Sequence, residues 1–256
     1  MKGKIIVVTH KEYEMPTDEM YLPVCVGGEI EILKNIFQPD NSGENISDLN
    51  STYCELTAIY WAWKNLDLKN LDFVGVTHYR RHFSFYKNKT NVKYAIDSCG
   101  LENKFNSVPY NTIFATPKRI YFPSVEKHYI YSMKDYIEIH MKDIKRLKDA
   151  IHELYPEYDE AAKYALEGRS AHMLNMFIMS SDLFNDYCTW LFNVIDKVVK
   201  YSADRMDQRR YAGALSELCL DIWAKKNNIT INEIALLETE KRSFYKRVLN
   251  YISRVI

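Results

Sequence analysis

Residues 72 to 83, DFVGVTHYRRHF, constrain this chain more than any other stretch. Phe73, Val74 and Val76, with Gly75 and β-branched Thr77 among them, form a short apolar run of the kind buried inside a mixed sheet. The run stops at His78, Tyr79, Arg80, Arg81 and His82, so polar groups crowd the strand end. In open α/β sheets the crevice beyond the carboxyl ends of the strands is where ligands bind. Two adjacent guanidiniums and their neighbouring imidazoles there are fixed donors suited to phosphate oxygens, and they point to an anionic ligand. The competing reading is a solvated arginine pair beside a half-buried, internally satisfied histidine.

Composition sets the outer bounds. Of 256 residues, 47% are hydrophobic, which can fill the core of one large domain or of a domain with a helical extension. Thirty-four Lys plus Arg against thirty-four Asp plus Glu leave no net charge, so nothing global attracts nucleic acid and any anion site is local. Cys25, Cys54, Cys99, Cys188 and Cys219 are odd in number and lack C-x-x-C spacing, which argues against both zinc and a disulfide framework. The apolar run in MKGKIIVVTH is short and has no cleavage pattern, and no long membrane-spanning run follows. A cytoplasmic protein is expected, at most peripheral at the inner face of the membrane.

Along the chain, Ile5 to Thr9 reads as a first parallel strand whose end, Thr9, His10 and Lys11, shares a carboxyl edge with His78. YLPVCVGG, 21 to 28, reads as a second strand with Pro23 at an edge. The turn formers of FQPDNSGENISDLN make a loop in which Asn45 and Asn50 are candidate ligand contacts, although Asx turns explain such residues as well. Tyr53 to Lys64 is predicted as a helix apolar nearly all round, so Glu55 within it needs a partner, for which an arginine of the HYRR end is suited.

A strand is predicted at Thr112 to Thr116, and a long helix from a Ser132–Asp135 cap through Leu154, closed by Pro156. Met176 to Met179 reads as a strand entered from Asn175, followed by a helix from Phe184 to Val199. A further helix at about 208 to 226 carries the core stripe Leu215, Leu218, Cys219 and Ile222, with Arg210, Glu217 and Asp221 on another face. Residues 236–256, basic and aromatic, are expected as an amphipathic helix that lies on an anionic membrane surface or packs on the domain formed by residues 1–235.

With these segments in place the chain resembles a bacterial family of glycosyltransferases from capsular, exopolysaccharide and lipopolysaccharide gene clusters, long catalogued as a domain of unknown function. The resemblance is carried by VVTHK (7 to 11), YLPVCVGG, DNSGENISDLNSTYCELTAIYWAWKN (40 to 65), VGVTHYRRHF (74 to 83), NMFIMSSDLFNDYCTWLF (175 to 192) and RRYAGALSEL (209 to 218). It implies a GT-A-like α/β fold, a Rossmann-like mixed sheet flanked by helices with a helical C-terminal part. It also implies transfer of a hexose, galactose or galactofuranose favoured, from a UDP-sugar to a lipid-linked or growing saccharide. Thr9, His10, Lys11, His78, Tyr79, Arg80 and Arg81 would meet the nucleotide diphosphate, and Asn45, Asn50, Glu55, Asn175 and Met176 the donor or acceptor sugar. Glu217 resembles the carboxylate that takes the acceptor proton.

Many such enzymes hold a metal with an acidic motif, but no Asp-x-Asp occurs here, so the arginines are assigned the leaving-group charge. No cofactor is expected to be required, and no metal ligands are assigned, with manganese or magnesium as the alternative. Two other readings stand beside the enzyme. One is a non-catalytic module for a nucleotide or a phosphorylated glycan; the other, ranked last, is a phosphodiesterase using His78 and His82.

Overall fold

A computed structural model of the chain describes residues 1–132, 139–205 and 209–240. Two compact units emerge: Met1–Pro117 with Asn175–Thr189 and Ile229–Glu240, and Lys118–Leu174 with Trp190–Asn228. The domain expected over 1–235 therefore contains two units. Its expected border with the tail falls at a strand, and the helix expected beyond it lies, from residue 241 on, outside the described residues.

In chain order the strands are β1 (Gly3–Thr9), β2 (Tyr21–Cys25), β3 (Gln38–Pro39), β4 (Phe73–His78), β5 (Arg81–Ser84), β6 (Thr112–Ala115), β7 (Arg119–Ile120), β8 (Ser170–Ala171), β9 (Phe177–Ser180), β10 (Thr230–Glu233) and β11 (Ala235–Glu238). The helices are α1 (Ile30–Leu33), α2 (Asn50–Tyr53), α3 (Leu56–Asn65), α4 (Ser98–Asn106), α5 (Val125–Ser132), α6 (Met141–Leu154), α7 (Asp159–Glu167), α8 (Ser181–Lys200), α9 (Tyr211–Ser216) and α10 (Cys219–Lys226).

The first unit is built on a mixed sheet of order β10-β6-β9-β4-β1-β2-β3, with β5 paired to both β4 and β11. Strands β1 to β4 run parallel, while β9 lies antiparallel between β4 and β6. This is the mixed α/β class expected from the sequence. β4 is central and buried from Phe73 to Thr77, and its register explains Gly75. That residue faces Ile5 on one neighbour and Ile178 on the other, and a Cβ there would stand 2.9 Å from Ile178 Cγ1 and 3.1 Å from Ile5 Cγ1. Pro23 costs little in β2, because β3 begins to pair only at Val24.

β4 does not leave the sheet at HYRR. It turns through Tyr79 and Arg80 and returns as β5, with His78 paired to Arg81. The return is held by β11, which no local pattern near residue 80 could announce. The single helix predicted over 53–64 is also interrupted. Cys54 takes φ 52 and ψ −127 between α2 and α3, and the Asn50 amide donates to the Cys54 carbonyl at 2.9 Å and to Thr57 Oγ1 at 3.0 Å. A side chain here takes the carbonyl that an unbroken helix would use.

In the second unit α6 starts at Met141, not near Ser132, which closes α5. His140 and Asp143 form its capping box, the His140 N–H donating to Asp143 Oδ2 at 2.8 Å. The stretch 133–138 that was to begin this helix lies outside the described residues. The helix predicted at 208–226 is two, α9 and α10, with Glu217 and Leu218 between them. Among the described residues no helix is long and apolar enough to cross a membrane.

Candidate functional site

The parallel pairing of β1 and β4 places Val8 opposite His78, so the residues that follow each strand meet. The Tyr79 N–H donates to the Val8 carbonyl at 3.0 Å. His10 stacks edge-on against the Tyr79 ring at 5.0 Å, and Tyr13 does so at 5.2 Å. Thr9 is buried and uses its hydroxyl locally, donating to the Lys11 carbonyl at 2.5 Å, which folds the loop back. That loop brings the Lys11 ammonium over the Tyr79 ring at 5.1 Å, and the Arg80 guanidinium lies over the same ring at 5.3 Å.

Glu240, which sequence reasoning missed, completes the cluster. Its carboxylate is 2.9 Å from Arg80 Nη1 and 3.4 Å from Lys11 Nζ. Thr239 braces the approach, its N–H donating to the Arg80 carbonyl at 3.1 Å and its hydroxyl to Tyr13 at 3.2 Å. Partial desolvation opposes the charge on Glu240, but Arg80 and Lys11 hold its carboxyl below the usual range. Arg81 pairs with Glu238 at 3.5 Å instead. His82, the next residue, is fully buried and its ring lies edge-on to Tyr21; burial pushes its pKa down to about 4. It therefore has no access to a solvent-borne substrate, which removes the phosphodiesterase pairing of His78 with His82.

A second pair of expected residues also meets. Asn175 Nδ2 donates to Glu55 Oε1 at 2.9 Å, so the partner of Glu55 is an amide and not an arginine of the HYRR end. Both turns that deliver this bond are left-handed: Cys54 at φ 52 precedes Glu55, and Leu174 and Asn175 have φ 84 and 48. Non-glycine residues held there cost about 1–3 kcal/mol each and tend to cluster where function needs them. Asn50 locks the Cys54 turn, whereas Asn45 is spent on its own loop, its amide donating to the Gly43 carbonyl at 2.9 Å. Met176 is 1% exposed and belongs to the core.

Glu217 lies in the second unit, half-buried at the junction of α9 and α10. One turn further, Asp221 accepts from the His172 N–H at 2.8 Å and contacts His172 Nδ1 at 2.6 Å. That clamp fixes the backbone just before the Leu174–Asn175 turn. The sequence showed Asp221 off the core stripe but gave no sign of its partner 49 residues away.

A mixed α/β sheet flanked by helices, with cations and aromatic rings gathered at the ends of β1 and β4, defines the class of the fold. The chain belongs to the family described as Domain of unknown function (DUF4422), whose model matches residues 4–228. The family expected from the ELTAIYWAWKN and THYRR stretches is thus borne out. No curated protein matches the chain. Three chains of solved structures do. Among them is the apo structure of WbbM, a bifunctional glycosyltransferase, at 27% identity and a TM-score of 0.75, covering 95% of this chain and 46% of that one. The chain therefore spans about half the length of that protein.

Proposed function

We propose that the chain is a glycosyltransferase moving a hexose, galactose or galactofuranose favoured, from a UDP-sugar to a lipid-linked or growing saccharide in surface-polysaccharide synthesis. Family membership and the likeness to a bifunctional glycosyltransferase along almost the whole chain support the reaction class. The observation that carries the reading is the convergence of Lys11 and Arg80 on one carboxylate beyond β1 and β4. Two cations held in place by an aromatic ring suit a diphosphate, and Glu240 stands in for one of its anionic groups.

In this mechanism an acceptor hydroxyl oxygen bonds to the anomeric carbon while the bond from that carbon to the diphosphate oxygen breaks. UDP leaves with the electron pair, and Arg80 and Lys11 stabilise the charge it gathers. The family resemblance assigns the acceptor proton to the Glu217 carboxylate. Glu55, oriented by Asn175, offers its second oxygen to a sugar hydroxyl. Among the described residues no three His, Cys, Asp or Glu side chains stand together as a metal site, so no metal ligand is assigned in this mechanism.

The test is UDP release from UDP-galactose and UDP-galactofuranose with and without a saccharide acceptor. Acceptor-dependent release is expected. UDP binding without release from any nucleotide sugar would favour the non-catalytic module, and failure to bind UDP at all overturns the site.

A further inference from the structure

Ile120 is 79% exposed, the most exposed large apolar side chain among the described residues, and Phe122, two positions on, is 59% exposed. They stand at β7, which pairs with β8 in the small antiparallel sheet of the second unit, where Arg119 pairs with Ala171 and Ile120 with Ser170, and the Tyr121 N–H extends the ladder to the Arg169 carbonyl at 2.8 Å. Strand alternation puts Ile120 and Phe122 on one face and Tyr121 on the other. Tyr121 is buried, its ring centroid 5.1 Å from that of His128, so one face of this strand is anchored while the other presents two apolar tips to water.

The charges around those tips are mostly of one sign. Lys118 shares the face of Ile120 by the same alternation, Lys127 follows on α5, and the Arg169 guanidinium lies 5.3 Å from the centre of the Phe122 ring. Of the neighbouring acids, Glu126 is buried and paired with Lys148 at 2.7 Å, which leaves Glu167 as the exposed carboxylate at the end of α7. Protein interfaces deplete lysine around their apolar centres, and a polyanion gains nothing from an isoleucine. A phosphate-bearing surface with hydrocarbon beneath it uses both parts.

We propose that this edge of the β7–β8 sheet is a membrane-surface wedge: Ile120 and Phe122 enter the headgroup boundary of an anionic bilayer, and Lys118 and Arg169 meet its phosphates. The proposal rests on neither the strand-end site nor the segment 241–256.

The experiment is cosedimentation of the full chain with vesicles of phosphatidylcholine, with and without phosphatidylglycerol. Binding to the anionic vesicles should fall about tenfold in the double variant Ile120→Ser, Phe122→Ser, whose melting temperature should not change because both side chains are exposed. Lys118→Gln with Arg169→Gln should abolish the preference for phosphatidylglycerol. As a local readout, Phe122→Trp should gain fluorescence that acyl-brominated lipid quenches, against a background in which Trp61, Trp190 and Trp223 are buried. Wild-type chain that ignores anionic vesicles overturns the wedge, as does binding unaffected by the double variant or an unquenched indole at position 122. A concentration-dependent dimer dissolved by the same double variant also overturns it, in favour of a second copy of the chain.

Discussion

Arg80 and Glu240, 160 residues apart, are joined at 2.9 Å, and the other oxygen of that carboxylate faces Lys11. An acidic side chain thus occupies the place proposed for a phosphate of the donor. A diphosphate must displace it, so Glu240→Gln should strengthen UDP binding several-fold. Arg80→Ala should weaken UDP binding about tenfold and leave uridine binding nearly unchanged; a charge-assisted bond is worth about 1.5–3 kcal/mol, and the lower end applies because Arg80 is 40% exposed. Calorimetry with both ligands checks this, and equal losses for uridine and UDP would point to damage of the fold.

If Arg80 and Lys11 carry the leaving-group charge, chelation should leave turnover largely intact. Activity that vanishes in chelator and returns only with manganese or magnesium would move the leaving-group role away from Arg80 and Lys11.

The left-handed turn at Cys54 carries strain that glycine would not. Cys54→Gly should therefore raise stability by about 1 kcal/mol, a few degrees in melting temperature for a chain of this size. If the strain serves to aim Glu55 at Asn175, the same variant should lose activity while it gains stability. A drop in melting temperature would mean that the Cys54 side chain outweighs the strain of its backbone.

His82 links stability to pH. Its folded pKa of about 4 lies below the ordinary histidine value because burial disfavours the charge, with His78 adding to the effect. The unfolded chain therefore binds the proton first as pH falls. The contribution is complete above about pH 6.5, is lost progressively as pH falls toward the folded value, and amounts to on the order of 3 kcal/mol. Asp40 works with the opposite sign, since desolvation raises its pKa and its contribution is lost as pH rises. Chemical denaturation between pH 4 and 7, in wild type and in His82→Phe, should show a flatter profile in the variant; parallel profiles would remove His82 as the cause.

What could be read from the sequence follows from the range of each signal. The buried runs that became β1, β4 and β9, and the long stripe of α8, are local patterns, and so is the gathering of Thr9–Lys11 with His78–Arg80, because parallel neighbours share an edge. The hairpin at Tyr79–Arg80 depends on β11, and the charge state of the site depends on Glu240, each more than 150 residues away in sequence. The breaks at Cys54 and at Glu217–Leu218 interrupt apolar stripes that continue on both sides, so periodicity alone runs through them. Met176, next to a polar Asn175, reads as a site wall, and in the fold it is buried with the core.

Glu217 is the sharpest case to test. It lies at the junction of α9 and α10, half-buried, with its N–H donating to the Ala214 carbonyl at 3.3 Å, so its backbone closes α9. Glutamine preserves that backbone bond, the size of the side chain and most of its hydrogen bonding, but it cannot accept a proton. If the carboxylate is the general base, Glu217→Gln should cut turnover by on the order of a hundredfold or more, while UDP affinity and melting temperature stay close to wild type. If Glu217 only braces the helix junction, the substitution should lower the melting temperature and leave turnover per folded molecule intact. A pH–rate profile separates the two further: loss of a proton acceptor removes the acidic limb of the wild-type profile, whereas loss of a brace leaves that limb in place.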